Sequence, residues 1–198
     1  MSNKQKAKPD LNADLLVRFA LGFHDVAHRV GLELRGKTDF SFNGIAPAAV
    51  NFALAAELYL KALHILNNSR PNDTHELWKL FKDLPEPVRV YVEQEYSRLH
   101  PIKKGELKAM TIVLSRASAK EEPNELFPTP STVRLLLVGH NHAFTNWRYL
   151  HEFNTNGYAY NFDFHAMNIF CDVVRDYVVE LLNKRKPHFI PERQPPEE

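Results

Sequence analysis

The sequence predicts an all-α fold, an antiparallel helical bundle, and three observations support this prediction. Apolar residues recur at the helical period of about 3.6 residues through most of the chain. No segment alternates polar and apolar residues for long enough to predict a sheet. Clusters of glycine and proline divide the 198 residues, 44% of them hydrophobic, into helix-sized segments. We therefore expect a single helical-bundle domain at residues 11–184, with flexible tails at 1–10 and 185–198.

The first two long helices follow from the apolar pattern. Residues 11–30 carry one apolar stripe, with Asp10 expected as the N-cap and Gly31 as the end of the helix. Three glycines and a proline predict a loop over residues 31–47. Residues 48–67 are apolar on nearly every face, which predicts a central, buried helix.

Shorter elements are expected in the rest of the chain. Asp73 and Glu76 have the spacing of a capping box that opens a short helix, Pro85 ends that helix, and Pro87 suits the first turn of the next one. A polar loop is expected at 118–130, and Ser131 is expected to cap the helix that follows it. The further predicted helices cover residues 107–115, 131–153 and 162–183.

Composition narrows the class of protein. The formal net charge of +1 shows no overall basic field, although a local basic patch remains open. The single cysteine, Cys171, allows no intrachain disulfide, which suits a reducing compartment. The first ten residues do not resemble a secretory signal, and no run of about 18 apolar residues predicts a membrane span. We expect a cytoplasmic protein that contacts no membrane.

Neither a metal nor a cofactor is expected. His24 and His28 have a spacing that can bind a metal, but no third ligand accompanies them. His140 and His142 flank an asparagine, and we expect this tripeptide to lie within a helix, away from a ββα-metal context. The glycines form no phosphate-binding loop motif.

Arg148, His151 and Glu152 are the most informative residues, because one helical turn brings the three side chains together. A cation, an imidazole and a carboxylate are costly to bury unless they are paired. One interpretation is structural: Arg148 pairs inside the bundle with Glu152 or Glu57. The other is functional: Arg148 holds a phosphate, and His151 acts as a general base near neutral pH.

Glu57, Lys61 and His75 are the other candidate binding residues. Glu57 and Lys61 lie four residues apart on the most apolar helix, in the favourable order for an ion pair. They either pair with each other or share a polar pocket with Arg148, in which case Arg148–Glu57 would be the central contact. His75 stands near a helix start, where a local contact and a ligand-binding role are both open.

Three segments, at residues 55–63, 74–80 and 143–152, resemble the HEPN superfamily of nucleotide-binding helical bundles. The matching features are a small residue before Glu57 with an aliphatic run to Lys61, then His75-Glu-Leu, then Trp147-Arg148-Tyr149. The resemblance implies homodimers with a shared cleft. It also implies metal-independent ribonucleases of toxin–antitoxin, phage-defence or RNA-processing systems, in which an Arg followed by four to six residues and a His carries the chemistry.

The sequence departs from that catalytic pattern. Only two residues separate Arg148 from His151, whereas Arg134 and His140 have five between them but lie upstream of the Trp-Arg-Tyr segment. Two hypotheses follow. The first is a protein that binds RNA or nucleotide, with the possibility of a toxin or defence ribonuclease whose site is degenerate. The second is a catalytically inactive dimeric module that docks a partner protein such as an antitoxin.

Overall fold

The computed structural model describes residues 12–34, 42–71, 73–101, 107, 109–114, 130–148 and 158–185. These residues are mostly helical, as predicted, and they include one small β-ribbon that the sequence did not predict. The tails predicted at 1–10 and 185–198, and the loop predicted at 118–130, lie outside the described residues, except for Pro130 and for Arg185, which is the last residue of α7. The elements in chain order are α1 (Ala13–Glu33), α2 (Phe42–Leu66), α3 (Leu77–Lys82), α4 (Glu86–Leu99), β1 (Ala109–Leu114), α5 (Val133–Gly139), α6 (Ala143–Arg148), β2 (Tyr158–Asp163) and α7 (Phe164–Arg185).

The core forms around α2, which packs against α1, α6 and α7. Phe52, Tyr59, Leu60 and Leu63 of α2 are completely buried, which confirms the predicted central helix. The helix Gly44–Leu66 could cross a membrane by length and composition alone, yet 67% of this apolar stretch is buried inside the bundle. Such burial is also what the core helix of a bundle shows. Cys171 of α7 lies in the same core, with its Sγ 4.0 Å from the carbonyl oxygen of Phe52.

Helix α1 begins and ends differently from the prediction. Asn12 is its N-cap, and the Asn12 Oδ1 accepts hydrogen bonds from the backbone N–H groups of Asp14 (3.0 Å) and Leu15 (3.4 Å). Asp10 lies outside the described residues. The prediction that Gly31 ends the helix is wrong, because Gly31 lies buried inside it. A Cβ added there would be 3.0 Å from a methyl group of Leu107. The glycine is therefore explained by close packing.

Helix α2 ends in a Schellman motif after Leu66, one residue before the end predicted at residue 67. Asn68 adopts a left-handed conformation with φ of 57°. The N–H of Ser69 bonds to the carbonyl of His64 (2.8 Å), and the N–H of Asn68 bonds to that of Ile65 (3.1 Å). Asparagine tolerates this conformation better than most residues other than glycine, so it satisfies the last carbonyls of the helix.

The predicted amphipathic helix at 107–115 is wrong, because this segment contains strand β1. β1 pairs with β2 in antiparallel register, from Ala109 opposite Asp163 to Leu114 opposite Tyr158. Three consecutive β-branched residues, Thr111 to Val113, favour an extended backbone. β2 also takes the first two residues of the last predicted helix, so α7 begins at Phe164.

The long helix predicted at 131–153 is also wrong, because the chain turns at residues 140–142 between α5 and α6. Buried His140 holds this turn: its Nδ1–H donates to the carbonyl of Leu136 (2.7 Å), and its Nε2 accepts from the N–H of Asp163 (3.1 Å). The N-cap of α5 is Thr132, one residue after the predicted Ser131, and its Oγ1 accepts from the N–H of Leu135.

The start of α3 differs from the prediction in one detail. Its N-cap is Glu76, and no side chain caps it, so the predicted capping box of Asp73 and Glu76 is not formed. Instead, the Oγ1 of Thr74 accepts a hydrogen bond from the N–H of Glu76 (3.1 Å). The predicted short helix and the position of Pro87 in the first turn of α4 are both confirmed.

Candidate functional site

Glu57 is the one acidic residue in the core of α2, with only 3% of its surface exposed. Its Oε1 lies 2.7 Å from the Nζ of Lys61. Both of its oxygens lie 3.0 Å from the Nδ1 of His75, which comes from the segment before α3. The pair Glu57–Lys61, which the sequence left open, therefore forms, and His75 completes it.

The exposure of the three side chains changes steeply across this cluster. The side chain of Glu57 is 4% exposed, that of Lys61 is 20% exposed, and that of His75 is 67% exposed. A carboxylate can only accept hydrogen bonds, so Nδ1 of His75 carries the proton in this contact. The Nε2 of neutral His75 then has a free lone pair, and the ring that carries it is largely exposed.

Phe144 connects His75 to Arg148. The rings of His75 and Phe144 are stacked, with their centroids 5.9 Å apart and their planes at 21°. The guanidinium carbon of Arg148 lies 5.7 Å from the centroid of Phe144, within the range of a cation–π contact. Phe144 and Arg148 are four residues apart on α6, so they share one face of that helix. The side chains Lys61, Glu57, His75, Phe144 and Arg148 thus form a continuous row.

Of the two alternatives for Glu57, the structure shows the pair with Lys61, and His75 is the second partner of the carboxylate among the described residues. Arg148 is exposed at the end of α6, where its guanidinium group lies over the ring of Phe144. The helix that carries Arg148 reaches the cluster through Phe144 rather than through its own guanidinium group. His151 and Glu152 lie outside the described residues, so their predicted positions beside Arg148 stay predictions.

A second arginine stands over a second aromatic ring near α3. The guanidinium carbon of Arg134, on α5, lies 5.8 Å from the centroid of the Trp78 ring. The backbone N–H of Trp78 donates to the Oδ1 of Asn141 (2.8 Å), which fixes the start of α3 against the turn before α6. We name the set His75, Trp78, Arg134, Phe144 and Arg148 the cation–aromatic surface.

Two other histidines singled out in the sequence, His140 and His24, are buried and make structural contacts. His140 is buried, so its ring does not accompany the exposed Arg134, and burial lowers its pKa. The buried ring of His24 lies 3.0 Å from the Oδ1 of Asn168 through its Nε2, and burial lowers its pKa as well. In the described part of the chain, no three His, Cys, Asp or Glu side chains group together as metal ligands.

Sequence reasoning identified Glu57, Lys61, His75 and Arg148 but missed the aromatic rings that organise them. Phe144 and Trp78 looked like ordinary core residues, yet each is only half-buried and contacts a cation. The signal available in the sequence was the i,i+4 spacing of Phe144 and Arg148. No comparable signal joined Arg134 to Trp78.

Comparison with known proteins identifies no relative: no protein-family model matches the chain, and no curated protein or solved structure matches it either.

Proposed function

We propose that this protein binds RNA or a nucleotide through the cation–aromatic surface. The observation that carries the proposal is that two exposed arginines, Arg134 and Arg148, each lie over an aromatic ring, and that the exposed ring of His75 stacks on one of these rings, that of Phe144. An arginine binds phosphate oxygens through a rigid fork of donors. Bases stack on aromatic or histidine rings and on guanidinium planes.

The packing of this surface favours a prepared site. Phe144 lies between His75 and Arg148 in the row and limits the freedom of both side chains. Trp78 does the same for Arg134. Side chains that are already ordered lose less conformational entropy when a ligand binds. We propose likewise that the bundle is HEPN-like and that the protein is cytoplasmic.

Fluorescence anisotropy with a labelled single-stranded RNA, measured at several salt concentrations, tests the binding. We expect Arg134→Gln and Arg148→Gln each to weaken binding roughly five- to tenfold and to reduce the slope of log K against log salt by about 1. Arg98→Gln is the matched control, since Arg98 is an exposed arginine on α4 that pairs with Glu95. Equal losses in all three variants, or no binding by the parent protein, would contradict the proposal.

A second candidate function is metal-independent RNA cleavage, and the Glu57–His75 contact favours it. A buried carboxylate that holds the Nδ1–H of an exposed histidine directs the Nε2 lone pair outward, as in other carboxylate–histidine pairs. In this reaction the Nε2 takes the proton of a 2′-hydroxyl, and the resulting oxygen bonds to phosphorus. The bond to the 5′-oxygen breaks, and that oxygen takes a proton from water or from the His75 imidazolium. Arg148 stabilises the negative charge on the phosphoryl oxygens.

Incubation with RNA in excess chelator separates the candidates. Cleavage that leaves 2′,3′-cyclic phosphate ends, and that His75→Ala and Arg148→Ala both abolish, would support the ribonuclease with His75 as the base. If His151→Ala abolishes cleavage and His75→Ala cleaves as fast as the parent protein, the base would instead be His151, as the sequence predicted. RNA binding without cleavage supports the binding protein. Neither binding nor cleavage would favour the inactive interaction module that docks a partner such as an antitoxin.

A further inference from the structure

Helix α1 carries a row of exposed apolar residues on the side that faces away from the core. Leu15 is 48% exposed, Phe19 is 54% exposed and Val26 is 38% exposed. With the exposed Gly22, these residues follow a 4-3-4 spacing, so they lie within about 60° of one another around the helix axis. We name Leu15, Phe19, Gly22 and Val26 the outer stripe of α1. The buried face of the same helix is a different set, which includes Val17, Ala20, His24 and Ala27.

We propose that two copies of the chain pair through this stripe, with the two α1 helices antiparallel about a twofold axis. The 4-3-4 spacing is that of a and d positions in a coiled coil, with Leu15 and Gly22 at d and Phe19 and Val26 at a. In an antiparallel pair, each a position of one chain faces a d position of the other chain. Phe19 of each copy then faces Gly22 of the second copy, and Leu15 faces Val26.

Gly22 fits this arrangement and has no role inside its own chain. A Cβ built on Gly22 meets nothing within 4 Å, so neither packing nor a special φ requires glycine there. Glycine in an exposed helix interior destabilises the helix by roughly 1 kcal/mol relative to alanine. The missing side chain leaves space for the large, exposed ring of Phe19 from a second copy. One residue supplies the knob, and the other supplies the hole.

The charges beside the stripe complement each other in the same register. Arg18 and Asp25 both occupy g positions, and an antiparallel a–d′ pairing places g opposite g. Arg18 of one copy therefore faces Asp25 of the other, and the twofold axis repeats this pair. Within one chain Arg18 forms an i,i+4 ion pair with Asp14 (3.5 Å), and Asp25 forms one with Arg29 (3.2 Å). Asn12 and Arg29 fall opposite each other at the two ends, where the apolar layers stop.

The size of the contact sets the expected strength. α1 has 21 residues, and a helix of that length extends roughly 31 Å. Four apolar layers bury less than the roughly 800 Å² per partner of a standard interface. We therefore expect a dimer that dissociates at micromolar concentrations, and its detection requires a concentration series.

Sedimentation velocity of the full chain over micromolar to submillimolar concentrations tests the proposal. Phe19→Glu should abolish the dimer, since it places a charge in the central layer. Arg18→Asp and Asp25→Arg should each weaken it about tenfold or more, because each places two like-charged pairs across the interface. The double variant R18D/D25R should restore it to within about threefold of the parent, although both intrahelical ion pairs stay broken in that chain. Leu135→Glu, an exposed apolar residue on α5 (58% exposed), is the matched control and should leave the dimer intact.

The double variant makes the test specific. Circular dichroism of each variant shows whether the bundle is folded, so that loss of structure is not taken for loss of pairing. A parent chain that is monomeric at every concentration would overturn the proposal. A dimer that Leu135→Glu weakens as much as Phe19→Glu, or that R18D/D25R fails to restore, would equally overturn it. These results are independent of RNA binding, since none of the substituted residues belongs to the cation–aromatic surface.

Discussion

The two partners of Glu57 should differ sharply in what their loss does to stability. Lys61→Met retains the aliphatic stem of the side chain but removes the ammonium group beside a carboxylate that is 4% exposed. Breaking a fully buried ion pair costs about 3–5 kcal/mol. Lys61 is 20% exposed and His75 remains in place, so we expect a smaller loss, about 2 kcal/mol of unfolding free energy. His75→Ala removes a side chain that is 67% exposed, and its loss should be under about 1 kcal/mol.

Urea denaturation at neutral pH and low salt measures both values. Lys184→Met is the matched control, because Lys184 pairs with Glu180 four residues earlier but is 66% exposed. We expect its effect to be about 0.5 kcal/mol or less. The reasoning is refuted if His75→Ala destabilises the protein as much as Lys61→Met does. In that case His75 would be a structural residue. The distinction between a structural pair, Glu57–Lys61, and an exposed histidine available for chemistry would then not hold.

Other predictions concern the interior and the helix ends. His140→Ala should cost about 3–5 kcal/mol, from two lost buried hydrogen bonds and a cavity, whereas the exposed His142→Ala should be nearly neutral in the same urea titrations. Burial lowers the pKa of His24 and His140 in the folded chain, so the unfolded chain binds more protons below about pH 6.5. The stability that the two neutral histidines contribute is fully present above that pH and is lost as the pH falls through their lowered pKa values. A series of thermal melts from neutral to acidic pH would show this loss as a falling Tm. A Tm that does not change with pH, or a Tm that falls as steeply in His140→Gln as in the parent protein, would contradict this. Asn68→Gly should raise unfolding free energy by up to about 1 kcal/mol at its left-handed position, and a decrease in thermal stability would show that the asparagine side chain matters more than its φ.

Local patterns in the sequence predicted the helical class and the central helix because both depend on neighbouring residues. The apolar faces of α2 left no doubt about its burial, and Pro87 marked the start of α4. The β-ribbon escaped because β1 and β2 are separated by more than forty residues, and their pairing cannot be seen from either segment alone. The turn at His140 escaped for the same reason, since the hydrogen bond that holds it comes from Asp163.

The site shows the same limit in its chemistry. Helical spacing correctly joined Glu57 to Lys61, which are neighbours on one helix. It could not show that His75, eighteen residues from Glu57, takes the second position at the carboxylate. The inference that Arg148 would reach Glu57 assumed that no nearer cation or donor competes for it. Lys61 and His75 are the partners of Glu57 in the structure, and Phe144, one turn before Arg148 on α6, stacks on His75.

The solitary thiol of the chain has a practical consequence. Cys171 is enclosed by the core, and burial raises its pKa above the ordinary range, so the reactive thiolate is scarce in the folded protein. Alkylating reagents should therefore modify native molecules slowly, and the rate should report how often the whole bundle opens. A cysteine engineered on the surface would accept a fluorophore or a crosslinker with little background, without the need to remove the natural one.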